Sequence, residues 1–281
     1  MSLFITSLNS GSNGNCYYIG NENEAVLIDV GISCREIEKR MKRLGLLMEK
    51  IKAVFISHEH SDHIKGLNIL VRKYSLPVYI TEATRRNGGI EVEPHLLQFF
   101  NAHIEITIGS LSVIAFPKFH DASDPYSFVV GCNKIYVGVF TDMGKPCKNL
   151  IKYFKLCHAA FLEVNYDGEM LEKGNYPFYL KNRIRGGMGH LSNKEALEVF
   201  VNHRPVFMSH LFLSHLSKNN NSPELVQELF NLHAGNVKII VASRFCETEI
   251  FHIQSHQQPQ SISRRRYYQK PATTQLSLQF I

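Results

Sequence analysis

The run His58-Glu59-His60-Ser61-Asp62-His63 places four potential metal ligands within six residues. It follows an apolar segment, Lys52–Ser57, that reads as a short strand. Residues two apart in extended chain point the same way, so the imidazoles of His58 and His60 can reach one cation. Asp62 and His63 open the next helical segment and can face a second cation beside the first. The plain alternative is a polar turn in which Ser61 or Asp62 caps a helix. The density of ligand types at a strand end favours the metal reading.

Three downstream residues stand in comparable places. His120 follows the expected strand Leu111–Phe116, Asp142 follows Lys134–Val139, and His215 follows Val206–Leu213. His103 competes with His120 but lies in a less punctuated polar stretch. His210 competes with His215, since Ser209-His210-Leu211 imitates Ser214-His215-Leu216; its expected place inside a strand favours His215. Asp29, just past the expected strand Ala25–Ile28, reads as a support for the metal histidines rather than a ligand.

This pattern resembles the metallo-β-lactamase superfamily. The resemblance implies one metal on His58, His60 and His120, a second on Asp62, His63 and His215, and Asp142 between them. Such a pair, about 3.5–4 Å apart, would ionise a shared water near neutral pH for attack on phosphorus or a carbonyl. Longer strings narrow the likeness: Ser10-Gly11-Ser12-Asn13-Gly14-Asn15, His120-Asp121-Ala122, Glu163-Val164-Asn165-Tyr166-Asp167, Gly189-His190-Leu191-Ser192-Asn193 and His215-Leu216-Ser217-Lys218-Asn219-Asn220. Together they resemble the YycJ/WalJ/VicX family over residues 1–253. The resemblance implies a two-metal phosphodiester hydrolase with zinc or manganese as cofactor. It further implies 5′-to-3′ exonuclease action on DNA and a link to DNA repair. A thioester or lactone hydrolase of the same fold, an RNA-processing nuclease and a catalytically silent regulator are the competing readings. A β-CASP insertion is not expected, because only 72 residues separate Asp142 from His215.

Substrate contacts can be read on the same basis. The loop carrying Ser12, Asn13 and Asn15 could turn amides toward a phosphate, or simply close a hairpin. His190 resembles the proton-donating histidine of the tRNA-processing branch and joins Asp62 as a catalytic candidate; its neighbour Asn193 could equally belong to a helix cap. Asn165, Tyr166 and Arg183 border a segment, Tyr166–Arg185, that interleaves aromatic and basic residues and could grip a strand end or merely cover the sheet.

The elements that must position these groups alternate between strands and helices. Strands are expected at Leu3–Leu8, Cys16–Gly20, Ala25–Asp29, Lys52–Ser57, Pro77–Ile80, Ile104–Ile108, Leu111–Phe116, Tyr126–Val130, Lys134–Val139, Ala159–Val164, Val206–Leu213 and Lys238–Ala242. Helices are expected from Ser33 to Leu44 and Asp62 to Tyr74, near Lys148–Leu156, across Tyr166–Arg185, and at Asn193–His203 and Pro223–His233. The pattern predicts an α/β fold, an αββα sandwich of two facing sheets flanked by helices.

Composition bounds the rest. The chain has 281 residues, 44% of them hydrophobic, enough for one large core. Its net charge of +6 is concentrated in a Gln/Ser-rich tail, residues 254–281, which holds Arg264, Arg265, Arg266 and Lys270 and no acid. That tail reads as flexible, with a short strand at Gln275–Ile281; the near-neutral remainder could offer nucleic acid only a local basic groove. Six scattered cysteines without a C-x-x-C pair fit reduced thiols. Neither a membrane span nor a signal peptide is evident, so a cytoplasmic location is expected by default.

Overall fold

In the computed structural model, which describes residues 2–254, the strands form two seven-stranded sheets. The first contains β1 (Leu3–Asn9), β2 (Cys16–Gly20), β3 (Ala25–Ile28), β4 (Ile51–Phe55), β5 (Val78–Ile80) and β6 (Leu97–Phe99). The second contains β7 (Glu105–Ile108), β8 (Leu111–Pro117), β9 (Tyr126–Cys132), β10 (Ile135–Phe140), β11 (Ala159–Glu163), β12 (His210–Ser214) and β13 (Lys238–Val241). The last strand, β14 (Phe251–Ile253), returns to the first sheet and pairs antiparallel with β1. Strand order is β14-β1-β2-β3-β4-β5-β6 in one sheet and β13-β12-β11-β10-β9-β8-β7 in the other.

The alternation of side chains along each strand builds three apolar layers. Tyr17, Ile19, Val26 and Ile28 face inward and meet Val113, Phe128, Val137 and Phe161 of the opposite sheet. Their sequence neighbours Tyr18, Ala25 and Leu27 point outward, against Ile37 and Met41 of α1 (Cys34–Arg43) and Leu67 and Leu70 of α3 (Leu67–Tyr74). On the far side α5 (Lys148–Phe154), α8 (Asn193–His203) and α9 (Pro223–Asn231) cover the second sheet with Phe154, Phe200 and Phe230. The result is an αββα sandwich. Both sheets are buried on two faces, which is why several strands are continuously apolar.

Differences from the sequence reading have local causes. The expected helix Asp62–Tyr74 is two, α2 (Ser61–Ile64) and α3, because Gly66 is pressed against the loop after β3. Its N–H donates to Val30 O at 2.9 Å, and a β-carbon there would overlap Ile32 O. The stretch Tyr166–Arg185 is likewise two helices, α6 (Gly168–Lys173) and α7 (Phe178–Arg185), parted by Gly174 and Pro177. Strand β12 begins at His210, not Val206, whose side chain is exposed. Helix α4 (Glu82–Asn87) and strands β6 and β14 are too short to show periodicity. The basic tail, including Arg264–Arg266 and the expected strand Gln275–Ile281, lies outside the described residues. No helix among the described residues is long and apolar enough to cross a membrane.

Candidate metal centre

The parallel strands β3, β4, β10, β11 and β12 end on one side of the sandwich, and the polar residues that follow them converge there. Three of these residues take left-handed backbone conformations: Asp29 (φ 61°), Asp142 (φ 52°) and His215 (φ 56°). Outside glycine this conformation costs roughly 1–2 kcal/mol per residue, so it persists where surrounding structure demands it. Here each bends the chain sharply as it leaves its strand.

Four ligand groupings result. The ligand atoms of His58, His60 and His120 lie within 4.8 Å of one another, as do those of Asp62, His63 and His215. Asp142 belongs with His58 and His63 on one side and with Glu163, His190 and His215 on the other. His60 Nδ1 is 3.1 Å from His58 Nε2 and 3.3 Å from His120 Nε2. His63 Nε2 is 3.0 Å from Asp142 Oδ2, and His215 Nε2 is 3.5 Å from Asp62 Oδ2. His103 is elsewhere, with Nδ1 2.8 Å from Tyr153 Oη. His210, at the opposite end of β12 from His215, has Nδ1 2.8 Å from Ser209 Oγ.

Hydrogen bonds on the outer nitrogens settle where the protons sit. His63 Nδ1 faces Asp29 Oδ2 at 2.7 Å, His120 Nδ1 faces Gly189 O at 3.0 Å, and His215 Nδ1 faces Glu163 Oε1 at 2.9 Å. These oxygens only accept, so each Nδ1 carries the proton. Ser57 Oγ donates to Asp29 Oδ2 at 2.8 Å and is therefore free to accept from His58 Nδ1 at 2.9 Å. With Nδ1 so engaged, all four Nε2 atoms face the centre, where they would offer lone pairs to a metal once any proton on them is displaced. Asp142 Oδ2 and His215 Nε2 are buried there with no hydrogen-bond partner. Nitrogens and carboxylate oxygens this close need protons or cations between them, and divalent cations would take that place. The donor set fits metal ions.

The electrostatics divide the centre in two. Burial, reinforced by His63 and Lys118, pushes His58 well below the ordinary imidazole range, and burial brings His120 down to about 4. Around His63 and His215 burial is outweighed by carboxylates: Asp142 and Asp29 raise His63, and Asp142, Asp62 and Glu163 raise His215 to about 10. Burial alone would raise Asp142, yet His215 and His63 hold it well below the usual carboxylate range.

Glu163 has a role that sequence reasoning missed. It ends β11 fully buried; Oε1 accepts from His190 Nδ1 at 2.7 Å and from His215 Nδ1, while Oε2 accepts from Met143 N at 2.6 Å and Leu191 N at 3.3 Å. Burial opposes its ionisation, but the two histidines hold it down to about 2. The available signal was a carboxylate terminating the apolar run Ala159–Leu162, a costly place for one without partners. Lys118, buried beside the centre with Nζ donating to Thr141 O at 2.7 Å, gave no such signal.

The expected substrate residues separate into two groups. Ser12, Asn165 and Arg183 line a cavity of about 170 Å³ whose wall includes His190. Arg183 also pairs with Asp121. Asn13 lies further along, in an adjoining cavity. Asn15, Tyr166 and Asn193 line neither cavity: they are 0%, 7% and 2% exposed and engaged within the protein. Asn15 instead braces the metal ligands, with Nδ2 3.1 Å from His63 Nε2 and 3.3 Å from Asp62 Oδ2. Tyr166 packs on Leu171 and Ile184, and Asn193 exchanges amide hydrogen bonds with Asn221.

Residues 10–134 match the family described as the metallo-beta-lactamase superfamily. An exodeoxyribonuclease YycJ of Bacillus anthracis is 34% identical over 232 residues, covering 81% of this chain and 87% of that protein. The chain belongs to the YycJ/WalJ family of the metallo-β-lactamase superfamily. An exodeoxyribonuclease WalJ of Streptococcus pneumoniae serotype 2 (strain D39 / NCTC 7466) is 32% identical over 225 residues, 78% of this chain and 83% of that one. Among solved structures, the metallo-beta-lactamase fold protein YhfI of Bacillus subtilis superposes with a TM-score of 0.68 at 14% identity, covering 90% of this chain and 100% of its own. Membership of this family makes the chain a metal-dependent hydrolase, and the sandwich is its fold.

Proposed function

We propose that this protein is a two-metal phosphodiester hydrolase that removes nucleotides from DNA in the 5′-to-3′ direction. The observation that carries the reading is the convergence of four imidazole Nε2 atoms and the unpartnered Asp142 Oδ2 beside a cavity walled by His190. One ion would be held by His58, His60 and His120, another by Asp62, His63 and His215, with Asp142 between them. Nitrogen and carboxylate ligands suit zinc and manganese alike. When bound, the ions supply Lewis acidity toward the phosphodiester and a hydroxide nucleophile at neutral pH.

The chain's own residues do the rest. Glu163 occupies His190 Nδ1, which leaves Nε2 to give a proton to the departing oxygen. Ser12 and Arg183 line the same cavity and would orient the scissile phosphate. The name exodeoxyribonuclease, carried by the YycJ and WalJ relatives, supports DNA as the substrate. The direction of digestion follows from the family resemblance. Residues 1–253 would form the catalytic unit, with the basic tail adding nonspecific affinity.

Purified protein should hold about two zinc or manganese ions, and 5′-labelled duplex DNA should shorten only when metal is present. A His60→Ala variant that digests DNA as fast as the parent would show the activity to be a contaminant. Parallel assays on RNA, a thioester and a lactone test the competing substrates.

A further inference from the structure

The cavity beside His190 does not end there. It shares Ser12, Tyr176 and Ser217 with a second cavity of about 360 Å³, which in turn shares Ser217, Lys218, Arg244 and Phe245 with a third of about 270 Å³. Their common walls set the three cavities side by side as a groove that starts from the one beside His190. No carboxylate lines the second or third segment. Lys218 and Arg244 have no acidic partner among the described residues, whereas Arg40, Arg43 and Lys238 are paired with Glu36, Glu247 and Glu249.

The far end of the groove is built firmly. Phe245 is 76% exposed, yet its loop is pinned from beneath. Arg40, itself 6% exposed, donates from Nη2 to Phe245 O at 3.1 Å and from Nη1 to Leu8 O and Asn9 Oδ1, both at 2.7 Å. Asn13 Nδ2 donates to Arg244 O at 2.8 Å, and Phe245 N donates to Ser243 Oγ at 3.0 Å. The Arg244 guanidinium lies over Gly11, where a β-carbon would come within 3.0 Å of Nη2. A buried arginine holding the carbonyl of an exposed phenylalanine makes a presented aromatic, not a stray one. Exposed aromatics flanked by free cations match a single nucleic-acid strand, whose bases stack while its phosphates meet the charges.

We propose that this groove is a subsite for the single DNA strand beyond the scissile phosphate, with Arg244 and Lys218 on phosphates and Phe245 stacked on a base. The inference rests on the nuclease reading above and extends it to residues outside the metal centre.

The test uses the metal-loaded full chain on 5′-phosphorylated single strands, one longer than about 16 nucleotides and one a dinucleotide as the short reference. Phe245→Ala should raise KM for the long strand about tenfold with kcat held, weakening the preference for length, and Phe245→Trp should restore it. Removing both cations, Arg244→Ala with Lys218→Ala, should lower the slope of log affinity against log salt by about 1.4, since each phosphate contact on a single strand contributes about 0.7. Arg72→Ala, an exposed arginine on α3 away from the groove, controls for net charge. If the parent with metal digests the long strand but these variants keep its KM and salt slope, the subsite is refuted and the nuclease stands. If the parent does not digest DNA at all, the nuclease reading fails first. An RNA strand whose binding depends on these residues while DNA binding does not would overturn the assignment to DNA.

Discussion

Replacing Glu163 by glutamine tests the reasoning about the centre most directly. The carboxylate accepts from four donors: His190 Nδ1, His215 Nδ1, Met143 N and Leu191 N. A glutamine has one accepting oxygen and one donating nitrogen, so it can satisfy either the backbone pair or the histidine pair. With its nitrogen toward the histidines, donor would face donor. Each buried donor left unmatched costs about 1–3 kcal/mol. The histidine can escape by moving its proton to Nε2, but in His215 that removes the lone pair aimed at the metal. Loss of such a hydrogen-bonded support typically weakens metal affinity roughly 10–100-fold. Glu163→Gln should therefore bind one ion nearly as the parent does, through His58, His60 and His120, and the other about 10–100 times more weakly. A stability loss of about 2 kcal/mol would lower the melting temperature of the metal-free protein by about 4–8 °C. Metal content after dialysis at fixed free zinc, with thermal melts alongside, reads both effects. A variant that keeps two tightly bound ions and the parent's melting temperature would refute the role given to Glu163.

Other outcomes follow from the same geometry. His215→Ala should lose one of two bound ions, whereas His210→Ala, on the other end of β12, should keep both; metal analysis of the purified variants separates them. Because His63 and His215 are raised, the latter to about 10, both carry an extra proton in the metal-free protein at neutral pH. Metal displaces those protons, so affinity should weaken as pH falls and proton release should diminish as pH rises past the folded pKa values; calorimetry in buffers of different ionisation heat measures the release. Gly31→Ala should destabilise the protein by about 1–3 kcal/mol and impair metal uptake, since its β-carbon would overlap Asp62 O and push the ligand helix outward. Cys246, which is exposed, should be the first thiol labelled in the folded protein, while Cys16 and Cys157, buried and pushed above the ordinary thiol range, should react only on unfolding.

Much of this architecture was legible in the chain. Helix α8 appears with the bounds its capping residues indicate: Ser192 accepts from Glu195 N, and Glu195 reaches back to Ser192 N. The strands β2, β3, β8 and β11 stand where apolar runs meet turn residues, within a residue or two at their ends. Short elements such as α4 and β14 were not legible, because six or three residues carry too little periodicity to stand out from loop.

The same division runs through the centre. The run His58–His63 is a local feature legible from residue type and spacing, whereas His120, Asp142 and His215 were singled out through the family resemblance together with their strand-end positions. What neither type nor spacing could reveal is which groups support them. Glu163 lies 27 residues from His190 and 52 from His215; the packing of β11 beside β12 brings it to His215, and the loop held by Asn165 N donating to Leu191 O brings it to His190. Burial decided the opposite way for Asn15, Tyr166 and Asn193: polar or aromatic residues in promising strings, they are enclosed by tertiary contacts and serve the scaffold. The chain by itself determined the ligand types and the elements that carry them. The tertiary structure decided proton positions, access and the groove, because those depend on distances between segments that are remote in sequence.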